Sequence, residues 1–251
     1  MGFTLYNAPQ STCSQRVRFV LNAKALPFAE VRLNLLEGDQ LSPSYLKLNP
    51  NGVVPTLDDN GAIVIDSLVI AEYLDEIAPQ TSFTPKDPVR RAGMRALMHF
   101  FDEMPAAAVR VPTFNLAFLP TFQTMSREDF IAHAESKPIR REFLLAMGQT
   151  GFPQAEMDNA LRRLRRSWER MDAEIEASGG PWLLGRDISL ADVAVMPALV
   201  RMHDLGMPEW QDLPRVAAWF DLIRAQPAFE PTYYHGSLLS ERFPHLRRPR
   251  G

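Results

Sequence analysis

Two dipeptides in one stretch of the chain, Val54-Pro55 and Asp66-Ser67, have the chemistry to bind a peptide-like ligand. Pro55 has no amide hydrogen, so it cannot complete the hydrogen bonds of a strand ladder. If the bond before it is cis, the amide and carbonyl of Val54 are free to pair with a ligand backbone. Asp66-Ser67 stands where an apolar run becomes a helix. The alternative interpretation is an ordinary edge-strand proline and an ordinary helix cap.

The surrounding residues predict the elements that position these dipeptides. Asn60-Gly61 between two apolar runs is typical of a β-hairpin with a two-residue turn. Before it the patterns predict a strand, a helix beginning at Ser14, a second strand and a short helix, and after it a helix from Ser67 to Ile77. This order is a βαβ unit followed by a ββα unit, which predicts a thioredoxin-like α/β domain with a mixed four-stranded sheet.

Beyond this domain the patterns are helical. We expect the α/β domain over residues 1–80, a linker rich in Pro, Thr and Ser over 81–88, and an all-α domain over 89–251. Within the helical domain, Ser189 and Asp192 fit a capping box, so we expect Asp192 to be structural and not catalytic. The segment 104–153 is rich in Phe and broken by prolines, which suits either core packing or the wall of an aromatic substrate pocket.

Composition limits the class of protein. Of the 251 residues, 46% are hydrophobic and 23% are charged, as in an ordinary globular protein. The net charge of -3 argues against a nucleic-acid or membrane-surface partner, and the basic segment 247–250 is expected to be a solvated terminus. The single cysteine, Cys13, excludes an internal disulfide, and no Cys/His set for a metal is visible. Since there is no signal peptide and no apolar run of membrane-spanning length, a cytoplasmic location is expected.

Over residues 1 to about 80 the chain resembles the cytosolic glutathione S-transferases. The resemblance rests on Val17-Arg18, Asn49-Pro50, Val54-Pro55 and Asp66-Ser67 in this order and spacing. It implies the transferase fold, glutathione as co-substrate, and a homodimer or heterodimer. It further implies that Pro55 is cis, that the Val54 backbone pairs with the cysteinyl unit of glutathione, and that Asp66-Ser67 binds the γ-glutamyl end. A helix N-terminus suits a carboxylate there, and an acidic side chain suits the α-ammonium.

The same resemblance points to the group that activates the glutathione thiol. Spaced back from Val17-Arg18, Ser11 occupies the position of the activating serine in serine-type transferases. A hydroxyl that donates to a thiolate would lower the thiol pKa by roughly one to two units. Ser14 is the alternative, because it matches the loop serine of a β-etherase branch, although it also suits a helix cap. Cys13 is a third candidate, as a thioltransferase nucleophile, but cysteine-type relatives carry Cys where this chain has Ser11.

The chain departs from the family pattern at the glycyl end of glutathione. Many members use a Lys or His around position 41 and a Gln around position 53, where this chain has Leu41 and Val53. Gln40 is the nearby polar replacement for these residues, so we expect it to contact glutathione. The sequence does not tell how the glycyl carboxylate is held.

A narrower resemblance concerns the substrate. Residues 125–130 with His133, and residues 150–154, resemble the bacterial glutathione-dependent lignin β-etherases of the branch related to fungal transferases. This resemblance implies a hydrophobic aromatic substrate, attack of the thiolate on a carbon next to a ketone, and displacement of an aryloxide. His99 is the expected polar substrate contact, with helix packing as the alternative. The competing functions are a general conjugating transferase and a non-catalytic interaction module.

Overall fold

The computed structural model describes residues 2–246, so the basic segment 247–250 lies outside the described residues. The strands are β1 Phe3–Asn7, β2 Phe28–Arg32, β3 Thr56–Asp59 and β4 Ala62–Ile65. The α-helices are α1 Thr12–Ala23, α2 Pro43–Leu46, α3 Ser67–Ile77, α4 Pro88–Glu103, α5 Pro105–Ala108, α6 Arg110–Thr113, α7 Leu119–Gln123, α8 Arg127–Glu135, α9 Arg141–Met147, α10 Gln154–Ser178, α11 Leu190–Asp204, α12 Pro214–Arg224, α13 Phe229–Thr232 and α14 Leu239–Arg242. A π-helix, Phe114–Phe118, joins α6 to α7, and 3-10 turns are formed by Asp39–Leu41, Pro79–Thr81 and Pro244–Leu246.

The strands form one mixed sheet in the order β2-β1-β3-β4. β1 runs parallel to β2 and antiparallel to β3, and β3 pairs antiparallel with β4. The hairpin turns at Asn60-Gly61, where both residues have positive φ (53° and 96°), a conformation that Asn and Gly tolerate best. The thioredoxin-like sheet and the hairpin are therefore confirmed. Among residues 2–246 there is no helix both long enough and apolar enough to cross a membrane.

Helix α1 begins two residues earlier than predicted. Ser11 has an extended backbone, and its Oγ accepts a hydrogen bond from the Ser14 amide (3.2 Å), so Ser11 is the N-cap. Ser14 is fully buried, and its Oγ accepts a bond from the Ala8 amide (3.3 Å). The interpretation of Ser14 as the helix cap is therefore wrong, because the chain becomes helical at Thr12.

Two arginines of α1, Arg16 and Arg18, connect the domains. Arg16 is buried, and its Nε donates to the Ala194 carbonyl of α11 (2.9 Å). Arg18 is also buried, and it donates to Asn7 Oδ1 (2.6 Å), to the Pro9 carbonyl (2.8 Å) and to the Thr232 carbonyl (3.1 Å). The loop after β1, the sheet and the helical domain are thus held to one helix.

The proline-broken segment between α4 and α10 contains a small core of its own. The buried members of this core are Phe122, Phe130, Ala134, Leu144 and Met147. Half-buried aromatic rings surround it, with Phe114 and Phe143 edge to face at 4.9 Å between centroids. The segment therefore packs as a core and also lines a cavity, described below, while an aromatic substrate in that cavity remains a prediction.

Asp192 occupies the interior of the helical domain. Its carboxylate accepts hydrogen bonds from the Leu183 amide (3.0 Å), the Ser189 amide (2.9 Å) and hydroxyl (2.7 Å), and Trp219 Nε1 (2.8 Å). Burial raises the pKa of Asp192 above its ordinary value. The residue lies far outside the walls of the cavity, so its geometry is that of a structural capping box.

We expect Asp192→Ala to lower the free energy of unfolding by about 3 kcal/mol or more, because four buried donor groups lose their acceptor. Urea unfolding followed by circular dichroism measures this. The exposed Asp187→Ala is the control, with an expected change below about 0.5 kcal/mol. A variant with wild-type stability but no activity would instead assign Asp192 to catalysis.

Candidate active site

A cavity of about 240 Å³ opens between the two domains. The α/β domain contributes the loop after β1, including Ser11 and Cys13, and the loops around Gln40 and Val54. The helical domain contributes residues of α6, the π-helix and the segment 133–144. Three of the predicted site residues, Ser11, Gln40 and Val54, therefore come together in one wall.

Ser11 lies half-buried in this wall. Its oxygen accepts the Ser14 amide as a cap, and this leaves the hydroxyl proton free to donate to a ligand. Cys13 lines the same wall and is half-buried. Ser14 does not line the cavity, because its side chain turns inward to the Ala8 amide. Of the two serines considered for thiol activation, Ser11 lines the cavity and keeps a free hydroxyl proton, whereas Ser14 does not line it.

The peptide bond between Val54 and Pro55 is cis, as predicted. The carbonyl of the preceding Val53 is held by Tyr45 Oη (2.6 Å) and Asn49 Nδ2 (2.9 Å), which fixes the loop. Within residues 2–246, neither the amide nor the carbonyl of Val54 makes a hydrogen bond. A nearly buried backbone unit with both groups unpaired is suited to a ligand that is itself a peptide.

Asp66 and Ser67 lie at the start of α3, outside the cavity walls. Asp66 is exposed and caps the helix, with its Oδ1 accepting the Leu68 (2.9 Å) and Val69 (3.2 Å) amides. Ser67 is buried and accepts a hydrogen bond from Arg16 Nη1 (3.2 Å), which also donates to Asp102 Oδ1 (2.6 Å). The helix terminus, an acidic side chain and a guanidinium therefore meet at this point, which suits a group bearing both an ammonium and a carboxylate.

The structure does not support His99 as the substrate contact. The buried stripe of α4 is Met94, Leu97, Met98 and Phe101, and this turns His99 to the exposed side of the helix. His133 lines the cavity instead, with its ring 5.5 Å from that of Phe122. Burial, followed by the nearby Lys137 ammonium, holds the pKa of His133 below its ordinary value, so its imidazole is neutral at pH 7.

The cavity is electropositive, which the sequence did not indicate. Its walls include five cationic side chains, which are Arg110, Lys137, Arg140, Arg201 and Arg242. Among residues 2–246, no Asp or Glu lines the cavity. Arg201 is held by the Gln10 carbonyl and by Thr113 Oγ1 (3.3 Å). In contrast, the guanidinium groups of Arg110 and Arg140 make no hydrogen bond or salt bridge within residues 2–246. Burial, and secondly the neighbouring Arg110, lowers the pKa of Arg140.

A thioredoxin-like sheet with a cis proline beside the ligand wall, joined to an all-α domain, is the fold of the glutathione-binding transferases. The model of the glutathione S-transferase N-terminal domain matches residues 5–82, and that of the C-terminal domain matches residues 154–222. The chain therefore belongs to the glutathione S-transferase family, whose members use glutathione as co-substrate.

Individual relatives differ in function. Protein LigF of Sphingobium sp. strain SYK-6 is 30% identical over 93% of both chains, and the crystal structure of this beta-etherase superposes with a TM-score of 0.81 over 93% of this chain and 99% of LigF. A maleylacetoacetate isomerase of Pseudomonas aeruginosa is 30% identical over 91% of this chain and 94% of its own. FtsZ-localized protein A of Caulobacter vibrioides is 26% identical over 97% of this chain and 93% of its own.

We expect Ser11→Gly to raise the pKa of the thiol of bound glutathione by about one to two units, because the thiolate loses a hydrogen bond. We also expect kcat/KM to fall by about tenfold or more at neutral pH. Glycine keeps most of the helix cap, whereas Ser11→Ala would also lose about 1 kcal/mol of stability. Titration of the thiolate absorbance of the complex measures the pKa.

Ser14→Ala and Cys13→Ala are the comparison variants for the same titration. If Ser14→Ala shifted the thiol pKa and Ser11→Gly did not, the activating role would belong to Ser14. Loss of activity only in Cys13→Ala would indicate a thioltransferase.

Proposed function

We propose that the protein transfers glutathione to a hydrophobic aromatic electrophile and that its specific reaction is cleavage of the β-aryl ether bond of lignin-derived ketones. The observation that carries the proposal is the cavity itself, in which a free serine hydroxyl faces aromatic rings and unpaired guanidinium groups. The likeness to the beta-etherase LigF supports the same reaction.

Glutathione binds along the wall of the α/β domain in this proposal. The amide and carbonyl of Val54 pair with the cysteinyl backbone next to Pro55, and the γ-glutamyl end reaches Asp66 and Ser67 at the start of α3. This arrangement brings the sulfur to Ser11, whose hydroxyl donates to the thiolate. The positive end of α1 adds a smaller stabilisation of the same charge.

The electrophile occupies the part of the cavity that the helical domain lines. Phe114 and Phe118 of the π-helix and Phe122 of α7 form an aromatic wall, with the rings of Phe114 and Phe122 nearly parallel (14°) at 6.4 Å. Such a wall suits the two aryl rings of a β-aryl ether, since stacked aromatic contacts add to the free energy gained by burial.

The reaction is a displacement at the carbon next to the ketone. The thiolate sulfur forms a bond to this carbon while the carbon–oxygen ether bond breaks, and the electron pair leaves with the aryloxide. Arg110 and Arg140 supply unpaired positive charge in an apolar cavity, where they stabilise the charge that develops on the aryloxide and the ketone oxygen. The enzyme otherwise acts by holding the two reactants together.

Two other functions are candidates in the same fold. A general conjugating transferase would use the same thiolate on other electrophiles, and the isomerase relatives show that one family includes different reactions. A non-catalytic interaction module needs neither the free Val54 backbone nor the free Ser11 hydroxyl, so both features favour an enzyme. A homodimer, as expected from the resemblance, remains a prediction, and light scattering of the purified protein tests it.

Incubation with glutathione and a β-aryl ether ketone should release one phenol and form one glutathione thioether per molecule consumed. Chromatography with mass detection measures both products for each substrate enantiomer. Chlorodinitrobenzene is the comparison substrate. Its conjugation without any phenol release would contradict the β-etherase function and favour the general transferase. If the protein acted on neither substrate and failed to bind glutathione-agarose, both enzymatic functions would be excluded.

The guanidinium groups provide a second test. We expect Arg140→Met and Arg110→Met each to lower kcat by about tenfold or more on a substrate that releases an unsubstituted phenol. The loss should be smaller for a nitrophenol ether, because a more acidic leaving group needs less stabilisation. The exposed Arg127→Met is the control. Equal losses for both leaving groups would show that the arginines do not stabilise the aryloxide.

A further inference from the structure

We propose that Lys137 and Gln40 together hold the glycine end of glutathione, with Lys137 binding its carboxylate and Gln40 accepting its amide N–H. The proposal rests on glutathione being the ligand along Val54. It assigns a binding residue from the helical domain to a position that many relatives fill from the α/β domain.

Lys137 is a buried cation without a partner. Its side chain lines the cavity, only 8% of the residue is exposed, and its Nζ makes no hydrogen bond or ion pair within residues 2–246. The side chain is largely buried while Nζ itself keeps some accessible surface, and a partly desolvated ammonium without a counterion is costly, so burial lowers the pKa of Lys137. An anionic ligand group at this place would remove that cost, because it supplies the missing negative charge.

Gln40 is the complementary group in the opposite wall. It is 5% exposed, and its Nε2 donates to the Leu35 carbonyl (3.4 Å), which fixes the orientation of the amide. Its Oε1 has no donor, one of two such buried side-chain atoms among residues 2–246. A carbonyl oxygen cannot bind a carboxylate, so Gln40 requires an N–H group. The glycine of glutathione carries an N–H and a carboxylate on one carbon, which matches the two partners.

The contact between the domains places both groups at the correct end of the ligand. Lys137 Nζ lies 4.0 Å from the position that a Cβ on Gly38 would take. Gly38 directly precedes the turn Asp39–Leu41, which holds Gln40. Pro138 Cδ lies 3.5 Å from the corresponding position on Gly52, where φ is +59°. The positive φ at Gly52 favours glycine, and a side chain there would also meet Leu41 Cδ2 at 2.9 Å.

Gly52, which contacts the segment that carries Lys137, lies two residues before Val54. Lys137 and Gln40 therefore lie beside the Val54 backbone unit, which is free to pair with the cysteinyl residue of glutathione. The next unit of glutathione towards its C-terminus is glycine. The apolar Leu41 and Val53 also belong to this region, and they cannot bind a carboxylate. Lys137 therefore supplies from the opposite domain the charge that the α/β domain lacks.

The test compares glutathione with its glycyl ethyl ester, which keeps the amide N–H but has no carboxylate charge. Isothermal titration measures both affinities for the wild type, Lys137→Met and Gln40→Leu. Lys137→Met should weaken glutathione about tenfold to a hundredfold and leave the ester unchanged. Gln40→Leu should weaken both ligands alike. Lys137→Arg should restore much of the discrimination, and Lys86→Met, exposed in the linker, is the matched control.

Removal of the buried charge should not prevent folding. Without ligand, Lys137→Met should be at least as stable as the wild type in urea unfolding, because the change removes a partly desolvated charge that has no counterion. Equal losses of glutathione and ester affinity in Lys137→Met would overturn the proposal. So would unchanged glutathione affinity with a raised KM for the electrophile, which would place Lys137 in the electrophile site. A wild type that binds neither ligand would instead overturn the proposed function.

Discussion

The buried guanidinium groups of Arg16 and Arg18 on α1 are the constraint on which the site depends. Arg18 holds the loop after β1 through Asn7 and the Pro9 carbonyl, and the same side chain reaches the Thr232 carbonyl of the C-terminal part. Arg16 connects α1 to Ser67, Asp102 and the Ala194 carbonyl. Because a buried guanidinium requires all these acceptors, the loop that carries Ser11 has a fixed position relative to both domains.

The charge of the cavity follows from where its acidic neighbours lie. Asp102 is paired with Arg16, and no carboxylate lines the walls within residues 2–246, so several cations face an apolar space without partners. In such a space, of low dielectric, each positive charge acts strongly on an incoming anion. Glutathione brings a thiolate and two carboxylates, and an aryloxide leaving group adds transient negative charge. The cations and the anions of the proposed reaction thus complement each other.

The family fold does not determine the electrophile. Relatives with similar identity over nearly the whole chain include the beta-etherase LigF and a maleylacetoacetate isomerase, so their common sheet and common glutathione site serve different reactions. In this chain the segment between α4 and α10 lines the other half of the cavity. In the proposed reaction, its aromatic rings and Arg140 contact the electrophile, and its Lys137 links that segment to the co-substrate.

The sequence alone determined the features that depend on neighbouring residues. Asn60-Gly61 required a two-residue turn, and Ser189 with Asp192 indicated a capping box, each through local backbone chemistry, whereas the cis bond before Pro55 was implied by the family resemblance. Even the start of α1 was misplaced by only two residues, because Ser11 and Ser14 are both good caps and only the fold of the loop selects one.

Only the tertiary structure decided the cationic lining and the position of His99. Lys137 and Arg140 lie about a hundred residues from the loops they face, and nothing in their local pattern indicates which surface they will contact. The orientation of His99 depends on which side of α4 packs against α11, and the burial of Arg16 and Arg18 depends on acceptors supplied by distant elements. The physical reason is that secondary structure is encoded over a few residues, whereas a binding cavity is a property of surfaces that meet only after the chain has folded.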